Sequence, residues 1–140
     1  MEPVITLTDA PDEAAKAVIS GALNEFNDAK AGFSDRRSLA ILVSDPETQK
    51  VVGGLLGRTS LGVLFIELFY LPENLRGNGL GRHIVQQAED EARQRGCINA
   101  VLFTISFQAP GFYERCGYRN FGEIQGAKGI SRFFMTKALV

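Results

Sequence analysis

The sequence has few of the residues that mark metal, disulfide or membrane proteins. It contains two cysteines and one histidine among its 140 residues, and Cys97 and Cys116 lack the spacing of a metal-binding pair. No apolar run approaches the roughly 20 residues that cross a bilayer. The net charge of −1 gives no general attraction to nucleic acid or to anionic membranes. Acidic residues within Met1–Lys16 argue against a signal peptide.

These scarcities predict a cytoplasmic protein in a reducing setting, with no disulfide, no metal, no nucleic-acid partner and no membrane partner. The composition is otherwise that of a globular protein, with 45% hydrophobic and 22% charged residues. A chain of this length can bury one substantial core. No repeat, low-complexity tract or long polar linker divides it, so we expect one domain over residues 1–140.

Strand-like and helix-like segments alternate along the chain. Val4–Leu7 is predicted as a first strand, and Thr8 or Asp9 as the cap of a helix with Pro11 in its first turn. The polar segment Asn27–Arg37 is expected to end that helix. The predicted order is β-α-β-β-β-α-β-α-β-β, which indicates an α/β fold with helices packed on a mixed sheet.

Two β-rich runs, Leu39–Val43 and Val51–Leu56, are predicted to form a hairpin, because Pro46 after Asp45 marks a turn. The clearest helical pattern follows a third such run, Leu61–Leu71. Apolar residues recur every four positions over residues 80–92 while polar residues fill the other faces, and Gly96 is the expected helix end. A near-continuous apolar run, Ile98–Ile105, follows and is predicted to be a strand.

A glycine-rich turn, Arg76–Arg82, leads into this helix with the sequence R-G-N-G-L-G-R. Glycines allow the backbone to turn tightly and approach a ligand closely. Exposed N–H groups at a helix start attract anions, and two arginines add positive charge. The pattern favours a pyrophosphate ligand, although a glycine-rich turn can also be purely structural.

Two common nucleotide motifs do not fit this turn. A P-loop requires Lys followed by Ser or Thr after its last glycine, and neither is present. A dinucleotide fingerprint requires the spacing G-x-G-x-x-G, whereas Gly77, Gly79 and Gly81 alternate and follow a third β-rich run. Both interpretations are therefore weakened.

Two motifs in order resemble the GNAT superfamily of N-acetyltransferases. Arg76–Gly81 matches that family's R/Q-x-x-G-x-G/A signature, and Ser106–Tyr118 resembles its late motif N-x-x-A-x-x-F-Y-E-K-x-G-F. The resemblance runs from about Leu39 to the C-terminus. It implies the acyl-CoA N-acyltransferase fold, in which a mostly antiparallel sheet of six to seven strands splays in the middle and carries helices on both faces.

The resemblance also implies a binding mode for acetyl-CoA. In that family the coenzyme lies between the splayed strands, where backbone groups of Phe69, Tyr70 and Leu71 would pair with the pantetheine arm. Ser106 stands where the family usually has an asparagine that contacts pantetheine. The remaining residues implied to bind the cofactor are Arg76, Gly77, Asn78, Gly79, Leu80, Gly81, Arg82, Ala109 and Tyr113.

Two residues are implied to act in catalysis. Tyr113 occupies the position of the family's general acid, although it could instead be a core aromatic like Phe112. Glu67 lies in an otherwise apolar strand and aligns with the glutamate that some members use as a base, often through water. It could equally be a surface residue. His83 is expected to be exposed, and the two cysteines are expected to be structural.

The resulting prediction is an N-acetyltransferase that moves acetyl from acetyl-CoA to a primary amine by direct attack in a ternary complex. The amine could belong to a small molecule or a peptide. One alternative is a non-catalytic acyl-CoA-binding or sensing module of the same fold, and another is a nucleotide-dependent enzyme on a Rossmann-type sheet. Dimers are common in the family, so a homodimer is an expectation.

Overall fold

The computed structural model describes residues 1–140, which form two compact units, residues 1–34 and residues 35–140. The single-domain expectation stays a prediction. None of the helices combines the length and the apolar character that crossing a bilayer requires.

The first unit contains one helix, α1 (Glu13–Ala31). Its N-cap is Asp12, whose carboxylate accepts a hydrogen bond from Ala15 N–H at 2.8 Å. The predicted cap at Thr8 or Asp9 is therefore wrong, and Pro11 precedes the cap instead of lying in the first turn. The side chain of Thr8 makes a local turn by accepting from Ala10 N–H.

The C-terminal end of α1 also differs from the prediction. The helix continues four residues past Asn27 and ends at Gly32, whose φ of 85° and N–H bond to Asp28 are typical of a helix stop. Polar residues within Asn27–Ala31 are therefore accommodated in the last turn, because helical hydrogen bonds do not require apolar side chains.

The predicted strand Val4–Leu7 is absent. The apolar side chains of Val4, Ile5 and Leu7 are almost fully exposed. A strand requires a hydrogen-bonding neighbour, and the local composition on which the prediction rested carries no information about one.

The second unit contains all the strands and two further helices. In chain order its elements are β1 (Arg37–Ser44), β2 (Val51–Ser60), β3 (Val63–Tyr70), α2 (Leu80–Gln94), β4 (Asn99–Ile105), α3 (Pro110–Arg115), β5 (Arg119–Gln125) and β6 (Ser131–Ala138). Single 3₁₀ turns lie at Glu73–Leu75 and Ala127–Gly129.

The six strands form one sheet in the order β1-β2-β3-β4-β6-β5. Only β3 and β4 are parallel, because α2 is the crossover between them. All the other neighbouring pairs are antiparallel. This confirms the predicted α/β fold with a mostly antiparallel sheet and the predicted hairpin between the first two strands of this unit.

The ladder between β3 and β4 is short. It pairs Val63–Phe65 with Asn99–Val101 and then stops, although β3 continues to Tyr70 and β4 to Ile105. By contrast, β2 pairs with β3 as far as Tyr70. The middle of the sheet is therefore parted along the second half of β3.

A bulge in β3 accompanies this separation. Leu56 pairs with Leu68 and Gly57 with Ile66, which leaves Glu67 without a partner on β2. An extra residue bends a strand and increases its twist. It also reverses the side-chain alternation, so that Ile66 is buried before the bulge and Leu71 is buried after it.

The core of this unit lies where α2 packs on the sheet. Ile84, Val85, Ala88 and Ala92 are buried on one side of α2, as the spacing of its apolar residues predicted. They join strand residues that are fully buried, among them Leu55, Leu64 and Met135. Burying one such leucine stabilises a fold by about 1.5–3 kcal/mol. This packing fixes the N-terminus of α2 relative to the end of β3.

A buried polar cluster ties α2 to β6 and to the end of α3. The carboxylate of Glu89, 2% exposed, accepts hydrogen bonds from Lys137 Nζ and from the Tyr118 hydroxyl, both at 2.9 Å. Lys137 also donates to the carbonyl oxygen of Cys116 at 2.8 Å. A buried carboxylate requires such partners, so the cluster determines how α3 is held.

Candidate functional site

A cleft of about 660 Å³ opens where β3 and β4 part. Its walls are the end of β3, the turn that leads into α2, the end of β4 and the start of α3. The residues that line it are Phe69, Tyr70, Leu71, Arg76, Gly77, Gly79, Gly81, Arg82, Thr104, Phe107, Gln108, Ala109, Phe112, Tyr113, Arg115 and Cys116. Ten of the residues implied to bind the cofactor are in this set, and Asn78, Leu80 and Ser106 are not.

The glycine turn faces open space. Gly77 and Gly79 have φ angles of 83° and 86°, a region that side-chain-bearing residues rarely adopt. A Cβ atom at either position would meet no atom within 4 Å. Internal packing therefore does not explain these two glycines beyond their backbone angles, and the space beside them is open to a ligand.

The first turn of α2 presents backbone donors at the same place. The N–H of Leu80 is bonded to the Asn78 side chain at 3.2 Å, whereas the next two N–H groups, of Gly81 and Arg82, have no partner within the helix. Helix N-termini carry partial positive charge. The turn therefore has the chemistry of an anion site, with Asn78 supporting it from outside the cleft.

Two arginines border this anion site. Arg76 is anchored because its Nε donates to the carbonyl oxygen of Leu71 at 2.8 Å, and its guanidinium lies 5.7 Å from the Tyr70 ring centroid. Its terminal nitrogens remain able to donate to a ligand. Arg82 is exposed and lines the cleft.

The third glycine of the turn has a different role. A Cβ on Gly81 would lie 3.2 Å from the Phe112 ring, tighter than an ordinary van der Waals contact. Phe112 also contacts Phe69 across the cleft base, with ring centroids 5.9 Å apart. Gly81 therefore allows α2 and α3 to approach each other, which closes the floor of the cleft.

Tyr113 is the buried phenol of the cleft. Its side chain is 8% exposed and packs edge-on against Phe112 and Tyr118, with centroids 5.1 and 6.0 Å away. No protein group hydrogen-bonds its hydroxyl, and no fully buried side-chain oxygen in the structure lacks a partner, so the hydroxyl opens into the cleft. Burial, assisted by Cys116, raises the pKa of Tyr113 to about 12. The phenol is therefore protonated at neutral pH.

Glu67 lies at the bulge of β3, outside the cleft lining. Its carboxylate is 3.7 Å from the Arg58 guanidinium, and both side chains are about half exposed. Arg58 also lies over the Phe65 ring at 4.1 Å. The structure thus places Glu67 on the strand that forms one cleft wall, in an exposed ion pair.

Ser106 also lies outside the cleft lining. Its hydroxyl accepts from Ser131 N–H at 3.1 Å, and its own N–H donates to the Ser131 carbonyl oxygen at 2.8 Å. The backbone N–H of this serine and an acceptor position of its hydroxyl are therefore bonded to Ser131 of β6.

Sequence reasoning missed six lining residues. They are Thr104, Phe107, Gln108, Phe112, Arg115 and Cys116. Five of them lie within or next to the second motif. The motif position alone could have identified Gln108, a polar residue directly before Ala109.

The histidine and the two cysteines are not candidate nucleophiles. His83 is exposed, as predicted. Cys97 and Cys116 are buried free thiols, and burial is the main cause that raises the pKa of each. A raised thiol pKa keeps the reactive thiolate scarce at neutral pH.

Comparison with known proteins agrees with the resemblance that the two sequence motifs indicate. The model of the acetyltransferase (GNAT) family matches residues 7–118. Acetyltransferase Atu2258 of Agrobacterium fabrum is 37% identical over 118 residues, which cover 84% of this chain and 85% of that protein. Blasticidin-S acetyltransferase of Streptomyces morookaense is 38% identical over 95 residues, 66% of this chain and 70% of that one.

Solved structures show the same fold. The crystal structure of an Agrobacterium tumefaciens protein assigned as an acetyltransferase superposes with a TM-score of 0.90 at 34% identity. The match covers 97% of this chain and 99% of the other.

Proposed function

We propose that this chain, which belongs to the acetyltransferase (GNAT) family and is an N-acetyltransferase that uses acetyl-CoA, transfers the acetyl group directly to a primary amine. The observation that carries the proposal is the cleft between β3 and β4, which ends at an open anion site. Solved structures of the same fold contain coenzyme A or acetyl-CoA.

The residues present fit the two halves of acetyl-CoA. The open glycine turn, the free N–H groups of Gly81 and Arg82 and the guanidinium of Arg76 would hold the pyrophosphate. The unpaired edge at the end of β3, at Phe69 and Tyr70, would bind the pantetheine arm, because unpaired strand N–H and C=O groups accept a further extended chain. When bound, acetyl-CoA supplies the activated acyl group.

The acceptor must lose a proton before it attacks. An alkyl amine with a pKa near about 10 is mostly ammonium at neutral pH. We assign Glu67 as the residue that receives this proton, through water. Its carboxylate is exposed to solvent, and Glu67 lies two residues before Phe69 on β3, which supports this assignment. The free amine then forms a bond to the thioester carbonyl carbon.

The thiolate is the leaving group of this reaction. As the C–S bond breaks, the sulfur takes the bonding electron pair and requires a proton, while the new amide nitrogen releases one, which restores the proton donor. We assign Tyr113 as its donor, because the phenol opens into the cleft and its pKa of about 12 keeps it protonated. Backbone N–H groups at the open edge of β3, near Tyr70, would stabilise the tetrahedral oxyanion.

A small-molecule amine is the acceptor class that we favour. The relative named blasticidin-S acetyltransferase, at 38% identity, supports this choice. We further propose that the protein works in the cytoplasm, since two free buried thiols suit a reducing compartment. Homodimer formation stays a prediction that mass measurement in solution tests.

An assay of thiol release tests the proposed function. The purified chain is incubated with acetyl-CoA and a panel of small-molecule amines, amino acids and peptides, and products are identified by mass spectrometry. We expect amine-dependent thiol release and an acetylated small-molecule product. Binding of acetyl-CoA without turnover of any amine would instead favour the sensing module, for which the comparisons give no support.

A further inference from the structure

Gln108 lies in the loop between β4 and α3 and lines the cleft. Its side-chain oxygen Oε1 accepts a hydrogen bond from Ile105 N–H at 2.9 Å and a second from the Thr104 hydroxyl at 3.1 Å. A backbone N–H can only donate, so the end of the amide that faces it must be the oxygen. The orientation of the carboxamide is therefore determined by the backbone.

This orientation leaves the NH₂ group of Gln108 for the cleft. An amide NH₂ carries two N–H donors, and Nε2 has no hydrogen-bond partner within the protein. Thr104 is 3% exposed, so one of the two groups that hold Oε1 belongs to the packed sheet. The donor end of Gln108 is thus held in place from the core side.

Ser106 does not present a donor to the cleft. Its hydroxyl accepts from Ser131 N–H, and its side chain does not line the cleft. The position that the family motif assigns to pantetheine recognition therefore serves the β4–β6 contact in this chain. Gln108, two residues later, presents an amide donor to the cleft.

We propose that the Nε2 group of Gln108 donates a hydrogen bond to an amide carbonyl of the pantetheine arm of acetyl-CoA, in place of Ser106. The pantetheine arm carries two amide carbonyls, which are the acceptors that an oriented NH₂ donor fits. Gln108 is a binding residue for the acyl donor and takes no part in proton transfer. This inference rests on acetyl-CoA binding in the cleft.

Binding of three ligands to three variants tests the inference. The ligands are acetyl-CoA, acetyl-pantetheine without the nucleotide, and adenosine 3′,5′-bisphosphate without pantetheine. Their Kd values are measured by calorimetry for Gln108→Glu, for Gln108→Ala and for the control Gln87→Ala. Gln87 is an exposed glutamine of α2 outside the cleft.

Gln108→Glu is the decisive variant. It keeps an oxygen for Ile105 N–H and Thr104 while replacing the NH₂ donor by an acceptor. We expect acetyl-CoA and acetyl-pantetheine each to bind about 3- to 10-fold more weakly, the loss of one neutral hydrogen bond. The bisphosphate should bind as it does to the wild type. Gln108→Ala should weaken the same two ligands, and Gln87→Ala should weaken none.

Two results would overturn the inference alone. One is wild-type affinity of Gln108→Glu for acetyl-pantetheine, and the other is an equal loss for all three ligands, which would indicate damage to the loop. Thermal melting of each variant checks that it is folded. If the wild-type chain bound neither acetyl-CoA nor acetyl-pantetheine, the proposed function would fail and the inference with it.

Discussion

The two edges of β3 are built in opposite ways. On one edge, β2 pairs with β3 from Val63 to Tyr70. On the other, β4 pairs only with Val63–Phe65 and then departs. One strand thus takes part in a closed ladder and in a binding cleft, which shows that the site is made by ending a ladder early.

Glycines sharpen this difference. On the closed edge, a Cβ on Gly57 would collide with the carbonyl oxygen of Phe65, so this glycine permits two strands to meet. On the open side, Gly77 and Gly79 face no protein atom within 4 Å. Glycine therefore permits close packing at one edge of β3 and borders open space at the other.

The largest expected effect is loss of stability when the closed edge is disturbed. Gly57→Ala forces a methyl group against backbone that cannot move without breaking the ladder, and should lower the free energy of unfolding by about 3 kcal/mol. Urea denaturation measures this value. Gly21→Ala in α1 is the control, because nothing lies within 4 Å of its Cβ and alanine favours a helix. Equal stability of the two variants would show that the edge is not tightly packed.

The next largest effect concerns Tyr113, the phenol that opens into the cleft. Tyr113→Phe should lower kcat about 100-fold, the usual contribution of a general acid, and leave the Kd of acetyl-CoA within about twofold. Tyr118→Phe is the matched control. It removes a hydroxyl bonded to Glu89, so it should lower stability and change kcat less than threefold. An unchanged kcat in Tyr113→Phe would exclude the proposed acid.

The anion site should give a smaller effect on affinity. Arg82→Ala should weaken coenzyme A binding by about 10- to 30-fold, since the lost contact is charge-assisted, and should reduce its salt dependence. Acetyl-pantetheine, which lacks phosphate groups, should bind as before. His83→Ala, an exposed neighbour outside the cleft, serves as control. If both ligands weakened equally, Arg82 would not be a phosphate contact.

The smallest effect is on stability at high pH. Because the pKa of Tyr113 is about 12 in the folded protein, above the ordinary value of 10.0, the unfolded chain loses this proton first as pH rises. Stability is therefore intact below about pH 10 and falls by about 1.4 kcal/mol per pH unit as the pH rises toward the folded pKa. By pH 11 the wild type should lose about 1.4 kcal/mol more than Tyr113→Phe, measured by urea denaturation. Parallel curves would mean that the phenol is solvated.

Much of the cleft lining could be predicted from the sequence, because local sequence patterns determine it. The glycines of residues 77–81 and the four-residue apolar spacing of α2 are local patterns, and both motifs lie on the predicted elements. The proposed acid Tyr113 is likewise in the cleft.

What the sequence did not reveal depends on pairing between distant segments. The bulge at Glu67 exists only relative to β2, and the hydroxyl of Ser106 accepts a hydrogen bond from the N–H of Ser131, 25 residues away. The same reason explains the predicted strand Val4–Leu7, which has a strand-like composition but no partner. Gln108 is a different case, because its place in the second motif could be found from the sequence, whereas the orientation of its amide depends on contacts with Thr104 and Ile105 that the motif does not specify.

Hydrogen exchange measured with and without acetyl-CoA tests most directly whether the open edge of β3 receives the acyl donor. We predict slower amide exchange in peptides covering Leu68–Leu71 and Gly77–Arg82 once acetyl-CoA is added, with no change in Leu55–Ser60 of β2. Unaltered exchange at Leu68–Leu71 in the presence of saturating acetyl-CoA would contradict it.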